Sequence, residues 1–260
     1  MGIVNLTDDS YFARSRCSCE DAALSKVAQM LDEGASIIDI GACSTRPGSK
    51  PVGPEEEWRR LAPVLRVLKD TYPDLCISVD TWWSEIVSHT YDLIGDFIVN
   101  DISAGEDDLH MLPLVGKLGL KYVAMHKRGN SETMHMLTDY ADVVGDVISY
   151  FKEFSEKALQ FEIKNWILDP GFGFAKTLDQ NYEMLSRLSE FGVLNRPVLV
   201  GVSRKSMVYK LLNINPEESL AATQVLHLKA LQQGADILRV HDVGEAARTI
   251  SLYRQLENDC

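Results

Sequence analysis

The stretch from Asp169 to Asn181, DPGFGFAKTLDQN, follows a short apolar run of Trp166, Ile167 and Leu168 and ends that run in a carboxylate and a glycine-rich turn. Pro170 stiffens the exit from the run, Gly171 and Gly173 allow the backbone a close approach to a ligand, and Lys176 and Thr177 lead into a helix N-terminus. A strand that passes through such a turn into a helix is one β-then-α unit. The glycines taken alone fit a tight strand-to-helix turn equally well, so the weight of the reading rests on whether the unit recurs.

It recurs in both directions. Candidate strands run over Met1 to Asn5, Ser36 to Gly41, Leu75 to Asp80, Phe97 to Ser103, Leu120 to His126, Asn165 to Asp169, Pro197 to Ser203 and Ile237 to Asp242. Between them Glu20 to Glu33, Glu55 to Tyr72, Thr138 to Glu162 and Glu217 to Gln233 carry apolar residues at helical spacing, and Gly34, Gly119 and Gly234 each close a helix. Such alternation in a chain of 260 residues predicts a single (β/α)8 TIM barrel over residues 1–260, with an open doubly wound sheet as the alternative. No Ser/Gly/Pro-rich linker or low-complexity segment divides the chain.

A barrel places its active site at the carboxyl ends of the strands. Asn5, Asp80, Asn100 with Asp101, His126, Asp169, Ser203 with Arg204 and Lys205, and Arg239 with His241 all fall at or near those ends. Polar residues commonly follow strands, so the pattern marks a face and no particular chemistry.

The bulk properties narrow the class. A formal net charge of −12 argues against general nucleic-acid binding, which needs a basic surface. No apolar run approaches the ~20 residues of a membrane span and no signal-peptide pattern opens the chain, so a soluble cytoplasmic protein with no membrane partner is expected. The five cysteines, Cys17, Cys19, Cys43, Cys76 and Cys260, form no CxxC pair, which supports neither a disulfide framework nor a zinc site.

The individual groups suggest roles. Asp169, a carboxylate of fixed direction, can accept two parallel N–H bonds from an aminopyrimidine edge. Arg239 and His241 stand two apart and point to one side of the last strand, where paired donors suit phosphate oxygens; a structural salt bridge of Arg239 beside a packed, neutral His241 is the alternative. Lys205, beyond VLVGV and Ser203, can lean over the mouth to a ring carbonyl, with Arg204 directed elsewhere. Thr45, Arg46, Pro47 and Gly48 open a loop that can fold over a site, with Arg46 placed for an anion, or serve as an ordinary connection. Asn5, Thr7, Asp8, Asp9 and Ser10 offer oxygens to a magnesium ion bridging a diphosphate, or plain turn chemistry.

In order and spacing, MGIVNLTDDS, IIDIGACSTRPGS, ISVDT, IVNDISAG, VAMHKRG, ILDPGFGFAKTLDQN, VLVGVSRKS and ILRVHDV make the chain resemble the dihydropteroate synthases, a folate-pathway family of pterin-binding barrels, nearly end to end. The resemblance implies condensation of 6-hydroxymethyl-7,8-dihydropterin diphosphate with 4-aminobenzoate to 7,8-dihydropteroate and pyrophosphate, assisted by Mg2+ and open to competition by sulfonamides. By the same motifs Asp80, Asn100, Met125, Asp169 and Lys205 would form the pterin pocket. Asn5, Arg239 and His241 would hold the diphosphate, Asn5 also its metal, while Thr45, Arg46, Pro47, Phe174 and Ser203 would border 4-aminobenzoate. Arg239, His241, Lys205 and Asp9 are the residues expected to carry catalysis. A homodimer packed through late barrel helices is also implied, with Ala246, Ala247, Ile250, Leu252 and Tyr253 as apolar positions that barrel packing explains equally well.

Departures accompany the matches. Asp8 stands for a proline and Ala13 for an aspartate in the family's first-loop pattern, and Ala42 and Cys43 stand where Gly and Glu are usual. The chain begins at the first strand, where family members carry a short preceding segment, so a trimmed N-terminus or a bare barrel floor is expected. The rival readings are a corrinoid-linked methyltetrahydrofolate methyltransferase, a non-catalytic pterin-binding paralogue and a generic phosphate-binding barrel; STRPG, SRK and RVHD together favour the synthase over the first.

Overall fold

The computed structural model describes residues 1–6, 16–43, 52–129 and 133–258. The strands are β1 (Gly2–Asn5), β2 (Ile38–Gly41), β3 (Ile77–Asp80), β4 (Ile98–Asp101), β5 (Lys121–Met125), β6 (Trp166–Asp169), β7 (Leu199–Val200) and β8 (Ile237–Leu238). The helices are α1 (Arg16–Asp32), α2 (Pro54–Thr71), α3 (Ser84–Ile94), α4 (Met111–Leu118), α5 (Val143–Gln160), α6 (Leu178–Ser186), α7 (Ser206–Leu212), α8 (Leu220–Gln232) and α9 (Val243–Asn258).

Strands β1 to β6 pair in parallel and in chain order, and β7 pairs with β8. Two single-residue pairings close the ring: Leu168 with Val198, and Gly2 with Val240. Backbone bonds support both, Leu168 N–H to the Pro197 carbonyl at 3.0 Å and Val240 N–H to the Met1 carbonyl at 2.9 Å. The architecture is therefore the closed (β/α)8 barrel expected, not the open sheet.

Alternation along each strand divides the apolar residues between two environments. Ile98, Val123 and Leu199, with Ile37, Cys76, Ile167 and Ile237 against them, fill the barrel interior. Their neighbours Val79, Val99, Tyr122, Ala124, Trp166 and Leu168 belong to the larger core shared with the helices. Tyr122 and Trp166 meet the Phe154 ring there, at centroid distances of 5.9 and 5.0 Å.

Local chemistry sets where elements stop. Gly34, Gly119 and Gly234 take φ of 98°, 69° and 90° just past α1, α4 and α8, which is the left-handed exit a glycine allows. Helix α5 begins later than its apolar pattern because Asp142 caps it, accepting the Val144 N–H at 3.2 Å. The residues expected to start α8 form a separate 3-10 turn, Pro216–Ser219. β7 and β8 are shorter than expected, and ahead of β7 the Asp236 carboxylate takes the Val198 N–H at 2.8 Å. Cys43, buried, and Cys76, half-buried, are not in disulfides. Among the described residues no helix is long and apolar enough to cross a membrane.

Candidate active site

Side chains from β2, β3, β4 and β8 meet in one buried network inside the upper barrel. Asp39, in the middle of β2, is fully buried. It accepts from Arg239 Nε at 2.7 Å and Nη2 at 2.6 Å, from Asn100 Nδ2 at 3.2 Å to each oxygen, and from Ser78 Oγ at 2.6 Å. Arg239 Nη2 also donates to Asp80 Oδ2 at 2.7 Å. Burial, which lowers the Arg239 pKa, is outweighed by Asp39 and Asp80, so the guanidinium stays charged. Burial likewise pushes Asp80 up to about 7, with Arg239 opposing and Asp39, Asp101 and Asp169 reinforcing.

Arg239 is thus salt-bridged, the alternative weighed from the sequence, and it is bridged by carboxylates within the mouth. Its Nη1 makes no hydrogen bond among the described residues. The partner expected two residues on, His241, lies with its Nδ1 3.1 Å from the buried Ser203 hydroxyl, which also accepts the His241 backbone N–H at 3.2 Å.

Asp169 closes β6, and one of its oxygens accepts the Gly171 N–H at 2.8 Å. Burial raises its pKa, opposed by Lys205, the Gly171 N–H, Arg239 and Lys176. Gly171 has φ of 73°, and a Cβ placed there would lie 2.0 Å from the His126 carbonyl oxygen. The glycine is therefore required by a protein carbonyl, which is the tight-turn reading of this position weighed from the sequence. Beyond the turn, Thr177 caps α6 in a reciprocal capping box with Gln180.

Lys205 leans across the mouth as its position after β7 suggested. Its Nζ donates to the Phe172 carbonyl at 2.6 Å and stands 4.9 Å from the centre of the half-buried Phe174 ring. Burial brings its pKa down to about 8, with Asp169 opposing. Arg204 instead forms two 2.8 Å bonds to Asp242. Met125 is buried at the end of β5, and Asn5 is half-buried at the end of β1. Asp9, Thr45, Arg46 and Pro47, with the departures at Asp8 and Ala13, lie outside the described residues.

Two strand-end groups turn away from the mouth. Asp101, fully buried, accepts from Tyr122 Oη at 2.6 Å, from the Ser103 N–H and hydroxyl at 2.7 Å each, and from the Gly105 N–H at 2.8 Å, so it ties down the β4 exit. His126 is buried 3.0 Å from Lys176 Nζ and edge-on to Tyr150 at 4.9 Å. Burial, Lys176 and Arg128 lower its pKa to about 2, and it is neutral.

Asp39 and Lys176 are buried charged side chains around the site that sequence reasoning missed. The signal for Asp39 was present: a carboxylate between Ile38 and Ile40 in a central strand is affordable only with buried donors around it. Among the described residues no group of His, Cys, Asp and Glu forms a metal cage.

The chain matches the pterin binding enzyme family over residues 1–241. It is 39% identical over 259 residues to the dihydropteroate synthase of Escherichia coli strain K12, an alignment covering 99% of this chain and 90% of that protein. The crystal structure of Yersinia pestis dihydropteroate synthase with a sulfonamide drug superposes with a TM-score of 0.92 at 36% identity, covering 99% of this chain and 94% of that one. That of Xanthomonas albilineans dihydropteroate synthase with 4-aminobenzoic acid gives 0.90 at 34% identity, covering 99% and 92%. Barrel, strand-end groups and likeness agree, and the chain belongs to the pterin-binding enzymes, within the dihydropteroate synthase family.

Proposed function

We infer that this chain condenses 6-hydroxymethyl-7,8-dihydropterin diphosphate with 4-aminobenzoate, giving 7,8-dihydropteroate and pyrophosphate. The observation that carries the site assignment is the pairing at the mouth of a buried acceptor, Asp169, with a cation, Lys205, that reaches over it from the next strand. Asp169 accepts from the aminopyrimidine edge, and Lys205 exchanges its bond to the Phe172 carbonyl for one to the ring carbonyl. Asp80, Asn100 and Met125 complete the pterin pocket.

Asp39 and Asp80 fix the Arg239 guanidinium from two sides and leave Nη1 for the diphosphate. His241, turned by Ser203, supplies a second donor. Fixed donors aimed at the departing oxygen stabilise charge as it builds, with no reorganisation at the moment of reaction. The bond from the exocyclic CH2 to oxygen breaks first, the electron pair leaves with pyrophosphate, and the electron-rich dihydropterin stabilises the carbon left behind. The aniline nitrogen of 4-aminobenzoate then bonds to that carbon and releases its proton to solvent. Phe174 and Ser203 border the incoming ring; the family motifs assign Thr45, Arg46 and Pro47 to the same ring and Asp9 to catalysis.

Magnesium keeps most of its waters and takes diphosphate oxygens with one or two protein oxygens. Asp39 and Asp80 are engaged by Arg239, whereas the Asn5 side chain makes no hydrogen bond among the described residues, so its amide oxygen fits that role. Bound there, the ion would neutralise charge on the departing pyrophosphate. The enzyme acts in the cytoplasm as a single-domain protomer of a homodimer. The late helices support this pairing: Leu252 on α9 is 68% exposed and Val225 on α8 is 66% exposed, while Ala246 is buried in the barrel.

The test is to mix the protein with Mg2+ and both substrates and follow pyrophosphate and dihydropteroate together, with Lys205→Ala as control. Both products from the wild type, and a strong loss in the variant, are expected. Pterin binding without either product would instead point to a non-catalytic paralogue.

A further inference from the structure

Lys176 is buried, at 8% exposure, and no carboxylate touches it. Charged side chains are almost never buried unless paired, and long apolar ones fill such space at less cost. Its Nζ spends all three donors inside the protein: on the Gly171 carbonyl at 3.0 Å, the Phe174 carbonyl at 3.0 Å and His126 Nδ1 at 3.0 Å. A neutral His126 with its proton on Nε2 presents a lone pair at Nδ1, so an ammonium satisfies every one of these acceptors at once.

Those acceptors belong to the turn between β6 and α6. Gly171, Gly173 and Ala175 take φ of 73°, 82° and 48°, and such a turn cannot satisfy its carbonyls as a helix or strand would. Asn181 pins the turn from the helix side, accepting the Gly173 N–H at 2.7 Å and donating to the Thr177 carbonyl at 2.6 Å. Lys176 pins it from within. The same turn carries the Gly171 N–H that orients Asp169, the Phe172 carbonyl that receives Lys205, and the Phe174 ring under Lys205.

We propose that Lys176 is a positioning residue of the synthase site, an internal clamp that fixes the β6–α6 turn so that Asp169, Phe174 and Lys205 hold both substrates in register. It touches neither substrate; it acts through the Gly171 and Phe174 carbonyls and through His126. The proposal rests on the synthase reading given above. The groups facing the amine are Asp169 from β6, Lys205 from beyond β7, and His126 and Arg128 from the β5 exit; burial, Lys205 and Arg128 bring its pKa down to about 7, with Asp169 opposing. The clamp is therefore charged below about pH 7 and loses its charge as pH rises through that value.

The experiment compares Lys176→Met and Lys176→Gln with the wild type in steady-state kinetics for both substrates, alongside thermal unfolding and amide exchange over residues 170–176. Met keeps the length and removes every donor; Gln keeps an amide that can reach one carbonyl. With Lys176→Met, KM for 4-aminobenzoate and for the pterin diphosphate rises about ten-fold or more, because the groups that bind both substrates must then be ordered on binding. The kcat changes far less, amides 170–176 exchange faster than the rest of the barrel, and Lys176→Gln recovers part of the loss. Unchanged KM values in a folded variant overturn the proposal, as does a loss of stability with no KM change. Should Met fail to fold, Gln alone decides: raised KM values support the clamp and wild-type values refute it. A wild type that makes no product would fail the synthase reading instead, and faster exchange confined to 170–176 in the variants would still support the clamp, whereas unchanged exchange would refute it.

Discussion

Asp39→Asn changes one atom and should weaken both the fold and the site. Asp39 Oδ2 receives two bonds from Arg239, while Oδ1 receives Ser78 and Asn100. An asparagine offers one oxygen and one NH2, so whichever way it turns, one of these donor sets faces another donor. Unit charges about 4 Å apart at an effective dielectric near 20 attract by about 4 kcal/mol, and breaking one side of a buried ion pair typically costs about 3 to 5 kcal/mol. Asp80 offsets part of this, because Asp39 is one of the groups that raise its pKa and the second carboxylate ionises more readily once the first is gone. A net loss of about 3 kcal/mol remains, which lowers Tm by roughly 6 to 12 °C in a domain of this size. Denaturant unfolding followed by circular dichroism, with kinetics on the same preparation, reads both consequences. A variant within about 0.5 kcal/mol of wild type and with normal kcat/KM would show that Arg239 does not depend on Asp39, and the reasoning would fail.

Other outcomes follow from the same geometry. Gly171→Ala puts a Cβ 2.0 Å from the His126 carbonyl oxygen at φ of 73°; unfolding should show a loss of about 3 kcal/mol or more, whereas Gly192→Ala, with nothing within 4 Å, should fall within about 0.5 kcal/mol of wild type. Glu57 on α2 is pushed from 4.5 to about 7 by burial, with Thr81 opposing and Asp80 reinforcing. The folded chain therefore binds an extra proton between these values, and stability falls as pH rises through that window, by about 3 kcal/mol in all. Glu57→Gln should make unfolding measured at pH 5 and pH 8 less pH-dependent by this share, with that of Asp80 remaining; parallel slopes in the two proteins would contradict it. Arg239→Ala should reduce kcat about 100-fold or more if Nη1 serves the leaving group, and near-normal turnover would reject that role.

What the sequence made legible were the features that local chemistry decides. Strands could be found from apolar runs, seven of the eight ending in a polar or charged residue, and Gly34, Gly119 and Gly234 marked helix ends because their left-handed conformation permits the exit. The placement of Lys205 over the mouth followed from its position just beyond a strand. Roles set by distant partners were not legible. Asp39 acquires its function from Arg239, two hundred residues later, and Lys176 read as a lead-in to a helix because its acceptors include His126 from another strand end. Gly171 answers to that same strand end, a partner that its local sequence does not reveal.

The two thin junctions of the barrel divide it into arcs of opposite character. The six-strand arc holds the acids, Asp39, Asp80 and Asp169, and the two-strand arc with its loops holds Lys205, Arg239 and His241. Each junction has a single-residue backbone pairing and, at the mouth, side-chain ties across it: Lys205 to the Phe172 carbonyl at one, Arg239 to Asp39 and Asp80 at the other. The hoop is thus fastened by a pair of electrostatic clasps, and the residues assigned to substrate are the clasps themselves. A dihydropterin diphosphate seated between the arcs would replace one tie and load the other, so occupancy of the mouth and mechanical closure of the barrel become a single variable.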